Sequence, residues 1–299
     1  RYPRLGPGMM WEEAARRIGD RGGEIRLGCR VTGLERQPGS GGWRVTCTDP
    51  SGKASVVEAA HVISSVPLRE MIAGLLPPAP AAAVDAAARL RYRDFLTVAL
   101  VVRPSVKFDD NWIYIHEPGV KVGRIQNFGS WSPDMVPDRD LACYGLEYFC
   151  FEGDGLWTMS DGDLVALATR ELVQLGLVNE KDVLDGSVVR QPKAYPVYDD
   201  DYARHVALIR ATIETHYPGL HPVGRNGMHK YNNQDHAMMT AMLTVRNILA
   251  GERRYDVWNV NEDAEYHEEG NAIHGMPDSS AAGGLRHVPQ RADVTDVAT

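Results

Sequence analysis

"GRNGMHKYNNQDHAMMTAMLTVRNIL", residues 224–249, joins two kinds of sequence. The first half crowds together glycine, asparagine and ring side chains. In the second half Met238, Ala241, Met242, Val245, Ile248 and Leu249 recur at helical spacing, so an apolar helix is expected there. Asn233 or Asp235 is its natural N-cap, and Gly251 its C′ residue. Two readings of the junction stand side by side. In one, Asp235 only caps the helix. In the other, the N–H groups of the first turn meet an anion or a ring carbonyl, and Gly224 and Gly227 admit close backbone approach. Arg225 then offers a bidentate fork, and Tyr231 a ring that can stack or donate.

Bulk properties narrow what the junction can serve. At 299 residues and 43% hydrophobic, the chain can bury one large core or two modest ones. A net charge of −8 argues against nucleic acid or an anionic membrane as partner, because either needs clustered Lys and Arg. Cys29, Cys47, Cys143 and Cys150 lack CxxC or zinc spacing and read as reduced, buried thiols of a cytoplasmic protein. No run approaches the roughly 20 apolar residues of a membrane span, and no secretory signal is seen. His221, His229 and His236 are spaced unlike zinc ligands, so no metal is expected. No Ser-His-Asp or Cys-His arrangement is legible, which speaks against hydrolysis. The expected partner is a small-molecule substrate. The chain starts at Arg1 inside an informative motif and reads as part of a longer protein.

Upstream of the junction, a helix from about Met9 to Ile18 is expected, with Glu12 and Glu13 near its positive end, then a turn at Gly22-Gly23 and an extended "EIRLGCRVTGLE". "WRVTC" (43–47) and "ASVVEA" (54–59) make a β-meander, and "HVISSVP" (61–67) a short buried parallel strand closed by Pro67. Prolines and an alanine-rich helix after residue 76 mark a boundary. "FLTVALVV" (95–102), "NWIYIH" (111–116), "VGRIQNF" (122–128) and "CYGLEYFCF" (143–151) then fit an antiparallel sheet with one covered face. A capped amphipathic helix (160–177), a strand ending at Pro196 and a helix at about 202–215 lead back to the junction. From Gly270 the sequence reads as a disordered tail. Trp112, Trp131 and Trp157 read as core or lobe-interface residues. A chain that leaves a nucleotide-binding domain and returns puts its site between the lobes.

The junction resembles the C-terminal flavin-binding motif of the FAD-dependent amine oxidase superfamily, and most closely its protoporphyrinogen-oxidase-like and UDP-galactopyranose-mutase-like branches. Further matches keep the family's order: "YPRLGPGMMWEEAARRI" with the strand after it, "AAHVISSVP", "VGRIQNF", "GLEYFCFEGD" and "AYPVY", together spanning roughly residues 2–250. The resemblance implies an α/β (α+β) fold in which an antiparallel-sheet substrate domain is inserted into part of a Rossmann-like FAD-binding domain. Residues 1–76 would belong to the FAD-binding domain, 77–205 to the substrate domain, 206–256 to the return and 257–299 to the tail. It implies FAD as cofactor, held by Val31, Ser65, Pro67, Gly224, Arg225, Asn233, Asp235 and Met238, with Arg124, Glu147, Tyr195 and Tyr231 at the substrate.

Departures matter too. The GxGxxG fingerprint of the superfamily is not in the 299 residues: no strand precedes Gly6-Pro7-Gly8, and Trp11 stands where the third glycine would pack. The resemblance therefore implies that it lies upstream of Arg1, and that this piece alone is inactive. The mutase branch tends to carry an acid two residues after its Tyr, where this chain has Asn233. The leading expectation is an FAD-dependent oxidoreductase taking a hydride from an organic substrate. The alternatives are a mutase-like non-redox flavoenzyme, in which Arg124, Arg225 and Tyr231 clamp a nucleotide diphosphate, and a truncated non-catalytic module.

Overall fold

Alternating β-branched and aromatic positions set the framework. The computed structural model describes residues 2–39, 41–136 and 138–261, so the expected tail from Gly270 lies outside the described residues. Helix α1 (Gly8–Asp20) opens the chain, followed by β1 (Arg30–Arg36), β2 (Trp43–Thr48), β3 (Ala54–Ala59), β4 (Val62–Ser64), α2 (Leu68–Ala73), β5 (Leu75–Leu76) and α3 (Ala81–Arg89). Then come β6 (Tyr92–Val102), β7 (Trp112–Tyr114), β8 (Arg124–Asn127), α4 (Phe128–Trp131), β9 (Ala142–Cys150), α5 (Asp161–Gln174) and β10 (Val183–Pro196). The last elements are α6 (Tyr202–His216), β11 (Leu220–Pro222), α7 (Gly224–Met228) and α8 (Gln234–Ala250). The fold is mixed α/β, with three sheets among the described residues: β3-β2-β1-β5, the antiparallel β10-β6-β9-β8-β7, and the parallel pair β11-β4.

The period-two pattern of β6 and β9 decides which face of the large sheet is covered. Leu96, Val98, Leu100, Leu146 and Tyr148 point one way and pack on Leu164, Ala168 and Leu172 of α5. Each buried aliphatic there contributes about 1.5–3 kcal/mol. The other face carries Phe95, Thr97, Glu147 and Phe149. A second core gathers Trp43, Leu68, Met71, Ile72 and Leu75 with Ala83, Ala86 and Ala87 of α3, and Ile209 and Ile213 of α6. The alanines let α6 lie close, which returns the chain to β11 beside β4.

Three local expectations change. Residues 24–29 are not strand; β1 begins at Arg30. Glu13 sits beyond the first turn of α1 and pairs with Arg16 and Arg17 instead. The apolar stripe of α8 faces outward: Leu249 is 81% exposed, with Met238, Met242 and Val245 also exposed. The buried face of α8 is Thr240, Leu243 and Thr244. Thr240 is buried because its Oγ1 accepts from the Gly224 amide at 3.0 Å and donates to the Ala237 carbonyl at 2.7 Å.

Candidate active site

The uncovered face of the large sheet brings together most of the expected chemistry. Arg124 on β8 and Glu147 on β9 lie directly opposite each other in the ladder. They form an ion pair in which the glutamate side chain is fully buried and the arginine 19% exposed. Glu147 also accepts a hydrogen bond from Gln126, two residues along β8. A buried carboxylate persists only when paired and hydrogen-bonded, and here both conditions hold. Burial by itself lowers the Arg124 pKa; the hydrogen bond and charge of Glu147 reverse that, so the net direction is upward. Trp112 and Tyr114 of β7 lie 6.0 and 5.7 Å from the Arg124 guanidinium carbon. Glu171 of α5, also buried, steadies the approach to β8 by accepting from the amides of Lys121 and Val122 at 2.7 and 3.1 Å.

Next to this pair lies an aromatic group. Tyr195 of β10 sits 6.1 Å from Phe95 and 6.0 Å from Phe149, and stacks on Tyr231 at 5.6 Å with an interplanar angle of 11°. Arg225 of α7 lies 4.9 and 4.7 Å from the two tyrosine rings. Its guanidinium is turned into the protein. Nη1 donates to the Ala194 carbonyl at 3.0 Å and Nε to the Asn232 carbonyl at 2.9 Å. The fork expected to meet phosphate is thus engaged by backbone, tying β10 to the loop before α8.

The third group surrounds the start of α7 and α8. A side chain on Gly227 would place its Cβ 2.5 Å from the Ser64 carbonyl oxygen, so α7 lies directly on the end of β4. Gly224 has φ +74, and a Cβ there would meet only Ala237 and Ser65, at 3.8 and 4.0 Å. Ser65 is exposed beside it, and Pro67 is the N-cap of α2. The cap of α8 is Asn233, in a capping box with His236, whose Nδ1 accepts from the Asn233 amide at 3.3 Å. Asp235 therefore does not cap: its side chain is 78% exposed, 3.4 Å from His236. Met238 follows on the exposed stripe. Val31 belongs to the four-stranded sheet, exposed at the β-bulge opposite Cys47.

With this geometry in view, a family model described as flavin containing amine oxidoreductase matches residues 4–212. The chain belongs to this family. Among solved structures it resembles a reduced UDP-galactopyranose mutase, with TM-score 0.72 and 16% identity over 86% of this chain and 54% of that one. It also resembles a candidate protoporphyrinogen oxidase from Exiguobacterium sp. 255-15, with TM-score 0.59 and 16% identity over 75% of this chain and 49% of that one. The chain thus spans about half the length of these structures. No curated protein matches it by sequence.

Membership of the flavin amine oxidoreductases implies FAD, and the residues present fit it on two counts. Ser65, Gly224 and Ala237 meet with no bulky side chain among them, and Ser65 is exposed beside the buried glycine. Next to it, the α8 stripe presents apolar surface beginning at Met238.

Several members of the site were not singled out from the sequence. Gln126, Tyr114, Phe95 and Phe149 become visible only when strand register puts them beside Arg124, Glu147 and Tyr195. Trp112 is not a core residue: it is 42% exposed and stacks on Trp131 at 5.2 Å. The three histidines serve separate ends. His221 contacts His61 at 3.2 Å, His236 closes the capping box, and His229 is buried with its Nε2 3.3 Å from the Val197 carbonyl. Burial drives the His229 pKa down to about 4. A cavity of about 510 Å³ opens between α6 and α8, but none of the expected site residues lines it. Its Asn247 is already spent on the amides of Arg254 and Tyr255. The expected substrate-side residues gather instead on the aromatic sheet face. No helix among the described residues is long and apolar enough to cross a membrane.

Proposed function

We propose that this chain forms the substrate side and part of the flavin side of an FAD-dependent oxidoreductase acting on an organic small molecule. The observation that carries the reading is the buried Arg124–Glu147 pair facing the stacked Tyr195 and Tyr231 across one sheet surface. When bound, FAD supplies the capacity to accept a hydride. Ser65, Pro67, Gly224, Asn233, Asp235 and Met238 are assigned to hold it, with Val31 at the adenosine end. Arg225 keeps the loop before α8 docked on β10. Arg124 has a fixed orientation and a compensated charge, so it can hold one polar group of a substrate while Phe95, Phe149, Tyr195 and Tyr231 exclude water from the rest.

The same bonds count against a diphosphate clamp. Arg124 is already neutralised by Glu147, and Arg225 gives its Nε and an Nη1 donor to backbone carbonyls. A doubly anionic ligand would have to compete with Glu147 for Arg124 and would find the Arg225 fork turned toward backbone. The test uses full-length protein loaded with FAD. Anaerobic bleaching of the flavin by an amine or a porphyrinogen is the expected outcome. Turnover of a UDP-hexofuranose only after dithionite reduction would replace this reading with the mutase one, and failure to take up FAD would leave a non-catalytic module.

A further inference from the structure

The approach of β10 to the site is irregular. Gln191 pairs with Phe95 of β6, and the next pair is Tyr195 with Arg93. Four residues on β10 thus span what two span on β6. In an uninterrupted ladder the residue opposite Arg93 would be Lys193, and a second cation would occupy the sheet face where a tyrosine now stands.

The turn that makes this exchange is centred on Lys193, one of few non-glycine residues at positive φ, here 53°. That region is sterically costly for a residue with a Cβ, and it persists only where the surroundings hold it. They do so from both sides. The buried Asp94 carboxylate accepts from the Lys193 amide at 2.7 Å, and also from the Glu152 amide. Asn226 donates to the Lys193 carbonyl at 3.0 Å, and Arg225 to the Ala194 carbonyl at 3.0 Å. The Lys193 ammonium is carried away to Glu70, 2.8 Å off. Bulges beside functional sites commonly re-aim a side chain. Here the side chain re-aimed is Tyr195.

We propose that Lys193 is a positioning residue: its left-handed backbone, clamped between Asp94 and α7, sets Tyr195 face-on to Tyr231 and so fixes the aromatic wall on this sheet face. That this wall meets substrate rests on the oxidoreductase reading above; that the bulge builds the wall does not.

The test is a graded series at one position. Lys193→Gly and Lys193→Asn delete the ammonium but accept a positive φ; Lys193→Ala accepts it poorly, and Lys193→Val resists it most. The readout is the near-UV circular dichroism of the full chain, with Tyr231→Leu as the spectrum of a broken tyrosine pair and far-UV ellipticity as the control for folding. The Gly and Asn variants should keep the wild-type near-UV spectrum, Ala should lose part of it, and Val should approach Tyr231→Leu. Glu70→Gln, which breaks only the ion pair, should change nothing. Should the valine variant fail to fold, the ordering of Gly, Asn and Ala still decides. Equal loss in Gly and Ala would mean that the lysine side chain, and not the backbone, holds Tyr195, and would overturn the proposal. So would a wild-type spectrum in both Ala and Val. None of these outcomes depends on flavin. A protein that takes up no FAD would sink the functional reading and leave this one standing.

Discussion

Glu147→Gln is the sharpest perturbation of the site, because it keeps the shape of the side chain and removes only its charge. The carboxylate has no exposed surface, while Arg124 keeps 19% of its side chain in contact with water. Breaking a fully buried pair by removing one partner costs about 3–5 kcal/mol, since the remaining charge stays buried. Arg124 can recover some hydration through its exposed fraction, which lowers the expected loss to about 2–3 kcal/mol. Gln126 moderates it further, because an amide at 147 can still accept from it. Arg124→Met with Glu147→Gln removes both charges. It should be less damaging than the sum of the single changes, by about 1–2 kcal/mol of coupling. Urea unfolding of the four proteins, at constant denaturant slope, measures this directly. A loss under ~0.5 kcal/mol for Glu147→Gln, or strict additivity in the cycle, would refute the idea that these charges depend on each other.

Other expectations follow from the same structure. Gly227→Ala must move α7 off β4 by roughly 0.9 Å to restore the 3.4 Å of an ordinary Cβ contact from 2.5 Å; overpacking of this kind costs about 1–3 kcal/mol, read as a lowered melting temperature with less bound FAD. Because the folded-state pKa of His229 is depressed, to about 4, the unfolded chain binds the extra proton first. Stability should therefore fall as pH drops from about 6.5 towards 4, by at most ~3 kcal/mol from this group. His229→Asn, which tolerates the left-handed φ of 48° at that position, should flatten that part of the pH–stability curve, and an unchanged slope would show that another group titrates. Arg225→Ala in the full-length protein should reduce flavin content with the fold intact. Arg225→Lys should not rescue it, because one ammonium cannot reach two carbonyls in the geometry of a planar fork; retained flavin absorbance in both would contradict the role given to Arg225.

Local signals told most of the element story, and non-local ones told the site. The apolar, β-branched run at 95–102 and the aromatic-rich run at 143–151 announced two strands, because strand propensity is a local property; the structure extends the first back to Tyr92 and sets the second at Ala142–Cys150. The C-cap of α8 at Gly251 was legible for the same reason, while the N-cap stood open between Asn233 and Asp235 until the fold chose Asn233. Which side of α8 would be covered was not, since its methionine stripe and its threonine side both repeat at helical spacing. The choice fell to the threonine side when the Thr240 hydroxyl met the Gly224 amide. Arg124 and Glu147 could be suspected from their order in the chain, whereas their pairing depended on strand register.

From the sequence alone came the kinds of element, their order, the flavin-family motifs and the glycine that ends α8, all set by steric and hydrogen-bonding rules that act over a few residues. Only the folded chain decided that Arg225 would hold carbonyls, that Asp235 would face water, and that a two-residue excess in β10 would put a tyrosine where a lysine was due. Those outcomes depend on which backbone groups arrive opposite one another from distant parts of the chain, and side-chain pattern carries no record of that until the strands are paired.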